Sequence, residues 1–278
     1  MTLTQAVWII MGANIGTTVT AQIIRLGSIQ SDGSWLLWLF DTDTLAPIAL
    51  IIGIVLLMFI KSKRSNTIGD ICIGFGILFV GLNLMTSGVE PLVGTDAFIA
   101  FVRFLNNPLF GILFGLVLTV IVQSSSATVG MLQTVASVPG AGITFAMAYP
   151  VIMGINLGTC VTTAMVCSIG SSKDAKRTGV VHIAFNTIGT ILFLGVFYTV
   201  NAIHPFAFLG EVATPFGIAV VHSCFNIAAT LVLLPFSNGL VKLACLTLPT
   251  HEDVKEMSET DKTLSLLDVR FLEKPAYA

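Results

Sequence analysis

The chain has 278 residues, of which 55% are hydrophobic and 10% are charged, with a formal net charge of -2 at pH 7. Soluble domains carry about 25% charged residues, so this composition excludes a soluble domain and indicates an all-α integral membrane protein. The basic residues are few and scattered, which excludes a nucleic-acid-binding surface. The five cysteines lack the spacing of metal ligands or disulfides. We therefore expect a multi-pass protein embedded in the lipid bilayer of the cell membrane.

Seven apolar segments follow one another along the chain. They are Leu3–Ile24, Leu45–Ile60, Ile68–Val89, Leu109–Val138, Ile143–Ile169, Val180–Val200 and Phe216–Leu248. A membrane-spanning helix needs about 20 residues. Leu109–Val138 has 30 residues with a polar interruption near its middle. It fits either one broken helix or a re-entrant hairpin.

Two basic clusters, Lys61–Arg64 and Ser171–Arg177, predict cytoplasmic loops, because cytoplasmic loops of membrane proteins are enriched in Lys and Arg. Two spans separate these clusters. Leu109–Val138 must then enter and leave the membrane on the same side, which favours the hairpin. The same topology predicts a cytoplasmic C-terminus.

An internal repeat relates Gly12–Thr20 to Gly154–Thr162, which match at six of nine positions with a constant offset of 142. Such repeats are typical of secondary transporters. On the predicted topology the two copies run in opposite directions, which makes an inverted repeat. Each copy is predicted to break its helix, freeing backbone carbonyls that would suit a sodium ion.

A polar block, Gln123–Thr128, interrupts a region that contains no Asp, Glu, Lys, Arg or His from Phe104 to Ser172. Polar groups at membrane depth must be hydrogen-bonded or must hold a ligand. The N-termini of half-helices and the hydroxyl groups suit an oxyanion, whose charge a bound cation would balance. The alternative is that the hydroxyls only bond their own helix.

Two further motifs place His and Asn four residues apart, which is one face of a helix. They are His182 with Asn186 and His222 with Asn226. Hydrogen bonding between helices and proton handling by histidine are the two interpretations.

Together these motifs resemble the sodium-phosphate cotransporter family, the type II cotransporters and their bacterial relatives, over about Leu3 to Leu248. The resemblance implies a non-enzymatic transporter of the bacterial cytoplasmic membrane, with two inverted repeats, each carrying a hairpin and a broken helix. It implies inorganic phosphate as substrate and sodium as coupling ion, with no other cofactor. The candidate ligands are Gln123, Ser124, Ser125, Ser126, Thr128, Asn14, Thr17, Thr18, Asn156 and Thr159.

The predicted transmembrane domain covers 1–250, with a truncated first repeat at about 1–66, a second at about 67–200 and final helices at 201–250. Residues 251–278 are predicted to be a cytoplasmic tail, which resembles the linker to a PhoU-like domain in bacterial members. Applying the offset to Gln123 places a partner hairpin about 19 residues before Met1. The sequence is therefore expected to be a fragment that lacks the first Gln-Ser-Ser hairpin.

Two other functions compete with sodium-coupled phosphate transport. An intramembrane serine hydrolase would pair one of Ser124–Ser126 with His182 or His222, although no Gly-x-Ser-x-Gly motif is present. A phosphate sensor would bind phosphate without transporting it.

Overall fold

The computed structural model describes residues 2–28, 41–60, 62–169 and 172–248. The helices are α1 Leu3–Ile24, α2 Thr42–Phe59, α3 Lys63–Val89, α4 Asp96–Leu105, α5 Pro108–Val122, α6 Ser125–Ser137, α7 Phe145–Ser168, α8 Lys173–Ile203, α9 Pro215–Leu233 and α10 Ser237–Thr247. Within these ranges the β structure is limited to one isolated bridge between Thr144 and Val212. The all-α prediction is confirmed, whereas the predicted tail, 251–278, and Lys61 of the first basic cluster lie outside the described residues.

Five helical segments of the described chain are long and apolar enough to cross a membrane. They are Leu3–Ile24, Lys63–Leu92, Phe145–Ser168, Lys173–Ile203 and Pro215–Thr247. Helices α4 and α5 would make a sixth only as one bent unit, because their axes meet at 108°. Helix α2 is also apolar, but it is shorter than the five segments that could cross the membrane. These lengths fit the multi-pass membrane protein that the composition predicts.

Helices α5 and α6 form the hairpin that the topology favours. Asn107 caps α5 by accepting a hydrogen bond from the Leu109 N–H at 3.0 Å, and Pro108 starts the helix. Phe114 of α5 and Val135 of α6 line one small cavity. In a straight helix these residues would lie about 31 Å apart, so the chain folds back between them. The alternative of one broken span is excluded.

Helix α7 lies at the centre of the fold, and α5 packs along it in the same direction. Its first half is buried from Met147 to Asn156. Glycines allow the close approach of the two backbones: a Cβ at Gly154 would clash with the carbonyl of Ile112, and a Cβ at Gly115 would clash with that of Val151. The hairpin is therefore positioned by backbone contact with α7.

The predicted breaks at Gly12–Thr20 and Gly154–Thr162 are wrong, because α1 and α7 are continuous through both stretches. The polar side chains bond carbonyls of their own helix instead. The Asn14 and Asn156 amides donate to Ile10 O and Ile152 O, each at 3.0 Å. Because the side chains add bonds without displacing the helical ones, these motifs free no backbone.

Helix α1 also packs against α9. Its Gln22 amide donates to Ala219 O at 3.1 Å and to Ser223 Oγ at 2.6 Å. Ala219 is completely buried and Ser223 is partly buried. These hydrogen bonds link the first helix of the chain to one of the last.

Candidate functional site

Two residues with non-helical backbone conformations form the tip of the hairpin. Gln123 follows α5 in the left-handed conformation, with φ 57° and ψ 23°. Among the described residues, it is the one non-glycine residue with positive φ. Ser124 then has an extended backbone and caps α6, its Oγ accepting from the Ala127 N–H at 3.3 Å. The chain thus ends one helix and starts another within two residues.

This turn brings opposite ends of two helices together. The N–H groups of Ser125 and Ser126 belong to the first turn of α6 and have no carbonyl four residues earlier within that helix. Of the last four carbonyls of α5, that of Thr119 accepts from the Gln123 N–H at 2.7 Å, and the three that follow have no partner within the helix. A helix N-terminus attracts anions and a helix C-terminus attracts cations. The tip can therefore hold an anion and a cation side by side.

The side chains of the tip differ in exposure. Gln123 and Ser124 are exposed, and Ser125 and Ser126 are half-buried. The amide of Gln123 makes no hydrogen bond within the described part of the chain, so it is available to a ligand. Thr128 is completely buried, and its Oγ1 donates to Ser124 O at 2.8 Å. Thr128 supports the turn and does not reach the open side of the tip.

The tip lies beside the second half of α7. Gly154 contacts Ile112, and one turn later Gly158 contacts Thr119. Continuing this parallel packing by one turn places Gln123 level with about Thr162. Of the two predicted ligands on α7, Thr159 lies about 4.5 Å and Asn156 about 9 Å along the helix from that level. Asn156 is buried, and Thr159 is half-buried with its Oγ1 donating to Ile155 O at 3.2 Å. The structure thus brings the second repeat motif close to the hairpin tip.

The first repeat motif has the same internal bonding on α1. Thr17 Oγ1 donates to Ala13 O at 3.0 Å, and Thr18 Oγ1 donates to Ile15 O at 2.7 Å. No hydrogen bond joins Asn14, Thr17 or Thr18 to the tip within the described ranges. Helix α1 is instead tied to α6 further along that helix, where the Gln133 amide donates to Ala21 O at 3.2 Å.

Each of the two His-Asn pairs lies in the interior of the helix bundle. His182 joins α8 to α7, because its Nδ1 lies 2.7 Å from Thr163 Oγ1. His222 is completely buried, and neither of its ring nitrogens has a partner among the described residues. Asn226 Nδ2 donates to His222 O at 2.9 Å, whereas the buried amide of Asn186 lies beside the Cys160 thiol and has no nitrogen or oxygen partner in the described ranges. The His182 bond fits the interhelical interpretation, and proton handling stays a prediction.

Two residues whose side chains join helices of the bundle were missed by sequence reasoning. Thr163, the partner of His182, follows directly after the second repeat motif. Gln133 is 1% exposed and bonds both α1 and the start of α9. The sequence did contain a signal for Gln133, because it is an amide side chain in an apolar stretch, ten residues after Gln123.

A family model described as Na+/Pi-cotransporter matches residues 1–87 and 82–222, which together make up most of the chain. The chain belongs to the Na+/Pi-cotransporter family. The two matches are successive along the sequence. No solved structure matches the chain.

Named relatives of this Na+/Pi-cotransporter member come from bacteria and from animals. The "Putative inorganic phosphate export protein YjbB" of Escherichia coli is 26% identical over 99% of this chain and 47% of its own length. The "Uncharacterized protein YqeW" of Bacillus subtilis is 27% identical over 86% of this chain and 72% of its own. Human "Sodium-dependent phosphate transport protein 2B" is 32% identical over 45% of this chain and 19% of its own. The chain spans about half the length of the export protein.

The geometry gives no support to the serine-hydrolase alternative for this family member. A hydrolytic serine needs a histidine within hydrogen-bond reach. Ser124 Oγ instead caps α6, and the His182 ring bonds Thr163.

Thr163→Val is expected to lower the free energy of unfolding by about 0.6 kcal/mol, the average for a hydrogen bond between membrane helices. Thr162→Val is the matched control, because the Thr162 hydroxyl bonds only Thr159 O of its own helix, at 2.8 Å. Unfolding in detergent by titrated SDS measures both. Equal effects of the two substitutions would contradict a stabilising α7–α8 bond.

Proposed function

We propose that this chain forms part of a sodium-coupled transporter of inorganic phosphate and that the hairpin tip binds the phosphate. The proposal is supported most by the arrangement of Gln123 and Ser124, which leaves two free N–H groups of α6 beside an unpartnered amide. Tetrahedral oxyanions are bound in this way at helix N-termini. Family membership favours phosphate among such anions.

The charge of the phosphate must be balanced. Between Phe104 and Ser172 the chain carries no Lys, Arg or His. The hairpin and α7 thus supply no cationic side chain to balance phosphate at the tip. A co-bound cation supplies that charge in our proposal, with oxygen ligands and the negative end of a helix dipole from the α5 carbonyls after Thr119. This cation links phosphate binding to sodium binding and gives a physical basis for coupled transport.

Coupling does not by itself set the direction of transport. One relative is named as an export protein and another as a sodium-dependent transport protein. In a coupled carrier the gradients of the two solutes decide the net direction. We therefore propose a single coupled carrier that runs either way.

The test is radioactive phosphate flux into proteoliposomes that contain the purified chain, with a sodium gradient directed inward or outward. We expect flux to follow the sodium gradient and to fall to the level of empty vesicles when potassium replaces sodium. Phosphate binding is measured separately in detergent. Equal flux in sodium and potassium would contradict coupling, and saturable binding without flux would favour the sensor.

A further inference from the structure

A polar cavity lies away from the hairpin tip. It is formed where α1, α3 and α6 end and α9 begins. Its volume is about 60 Å³, enough for an ion with a few water molecules, since one water needs roughly 10–15 Å³. Its polar lining consists of Asn83, Thr86, Gln133, Thr134 and Ser137. Among the described residues, neither an acidic nor a basic side chain lines this cavity.

Gln133 determines what kind of ligand this cavity can take. Its Nε2 donates to Ala21 O at 3.2 Å and to Pro215 O at 2.8 Å, which fixes the orientation of the amide. Its Oε1 is buried and has no hydrogen-bond partner among the described residues. An unpaired buried acceptor costs about 1–3 kcal/mol. Because Oε1 can only accept, the missing partner is a hydrogen-bond donor or a cation.

The hydroxyl groups around the cavity offer oxygen lone pairs. Ser137 Oγ donates to Thr134 O at 2.8 Å, and Thr86 Oγ1 donates to Leu82 O at 3.1 Å. Each hydroxyl thereby uses its proton on the backbone, and its lone pairs stay available to a ligand. Such a set of neutral oxygen atoms suits a hard cation.

The end of α6 beside the cavity adds a negative potential. Helix α6 ends at Ser137, which lines the cavity, whereas α1 continues past Ile24 as a 3-10 helix through Ser28. The C-terminal end of a helix carries a partial negative charge. The opposing N-terminus of α9 is capped, because Thr214 Oγ1 accepts from the Gly217 N–H at 3.1 Å. The C-terminal end of α6 thus favours a cation over an anion.

The charge of the cation follows from the lining. Calcium sites use carboxylate ligands, and transition metals prefer His or Cys ligands. Among the described residues that line this cavity there is no carboxylate, His or Cys. We propose that this cavity binds a sodium ion through Gln133 Oε1 and the neighbouring hydroxyl oxygens.

This sodium site is distinct from the one expected at the hairpin tip. Gln133 follows Ser125 by eight residues on α6, which corresponds to about 12 Å along the helix. On the predicted topology the cavity faces the outside of the cell. The inference does not depend on phosphate transport, and its test contains no phosphate.

The first experiment measures binding of radioactive sodium to the purified chain in detergent. Gln133→Leu is expected to remove one component of this sodium binding or to weaken it at least tenfold. Gln22→Leu is the matched control, because Gln22 is another amide that bonds α9 but does not line the cavity. Its sodium binding is expected to equal that of the unchanged chain. Unchanged binding in a folded Gln133→Leu protein would overturn the proposal.

The second experiment measures how accessible the cavity is to a chemical reagent and leaves Gln133 unchanged. Leu82 lines the cavity, is half-buried and contributes no side-chain ligand, so Leu82→Cys should react with a positively charged methanethiosulfonate reagent and leave the proposed ligands in place. The unchanged chain reports the background from its own cysteines. Sodium is expected to slow the reaction at least fivefold relative to N-methyl-D-glucamine. Equal rates in the two salts would mean that the cavity holds only water, and would overturn the proposal even if Gln133→Leu failed to fold.

Discussion

Gly154→Ala is expected to lower the free energy of unfolding by about 3 kcal/mol, the upper part of the usual range for overpacking. The new Cβ would clash with the carbonyl of Ile112, which is backbone and cannot rotate away. Relief requires α5 to move off α7. Because α5 carries the hairpin tip, phosphate binding should be lost even in protein that still folds.

The internal repeat supplies the matched control for this prediction. Gly12 occupies the position of Gly154 in the first repeat motif. Within the described chain, apart from the neighbouring backbone of its own helix, no atom lies within 4 Å of a Cβ built at Gly12. Gly12→Ala should therefore change the free energy of unfolding by less than about 1 kcal/mol, in the stabilising direction, because alanine favours the helix.

Thermal unfolding and phosphate binding in detergent measure both glycine variants. A Gly154→Ala protein as stable as the Gly12→Ala protein would contradict the close contact between α5 and α7. A less stable Gly154→Ala protein that binds phosphate normally would contradict the role of this contact in positioning the tip.

Gln123→Ala is expected to weaken phosphate binding about 10- to 100-fold, which corresponds to a hydrogen bond with a charged group of about 1.5–3 kcal/mol. The Gln123 amide is exposed at the tip beside the free N–H groups of α6. Alanine keeps the strained left-handed backbone and removes only the amide. Sodium-driven flux should fall together with binding.

Gln123→Gly separates the backbone from the side chain at the same position. With φ 57° at this residue, glycine should raise the free energy of unfolding by about 1 kcal/mol, because it adopts the left-handed conformation without steric cost. Phosphate binding should nevertheless be as weak as in Gln123→Ala. Normal binding in either variant would show that the side chain is not a ligand, and unchanged stability of Gln123→Gly would show that the turn is unstrained.

Much of the architecture could be predicted because composition and spacing constrain it strongly. A chain with 10% charged residues and long apolar segments buries its backbone polar groups in helices when it enters a bilayer. The two basic clusters then required the segment around Gln123 to turn back. The hairpin was predictable for this reason, and its tip fell on the polar block.

The repeat motifs show where sequence reasoning stops. An Asn-x-Gly-Thr stretch can break a helix, or its side chains can bond the preceding turn, and the residue types are the same in both cases. In α1 and α7 the amides and hydroxyls found carbonyls within their own helices. The choice depends on whether neighbouring helices leave room for an unwound backbone, which local spacing does not reveal.

The sequence by itself determined an α-helical membrane protein of the Na+/Pi-cotransporter family with a polar hairpin tip, because hydrophobicity, charge placement and motifs are local properties of the chain. Only the tertiary structure decided that Gly154 is held against α5 while Gly12 lies open, although both belong to one repeated motif. It also decided that Gln133 leaves an unpaired oxygen at a cavity between helix ends. Both results depend on contacts between distant segments, and packing alone determines which helix faces which.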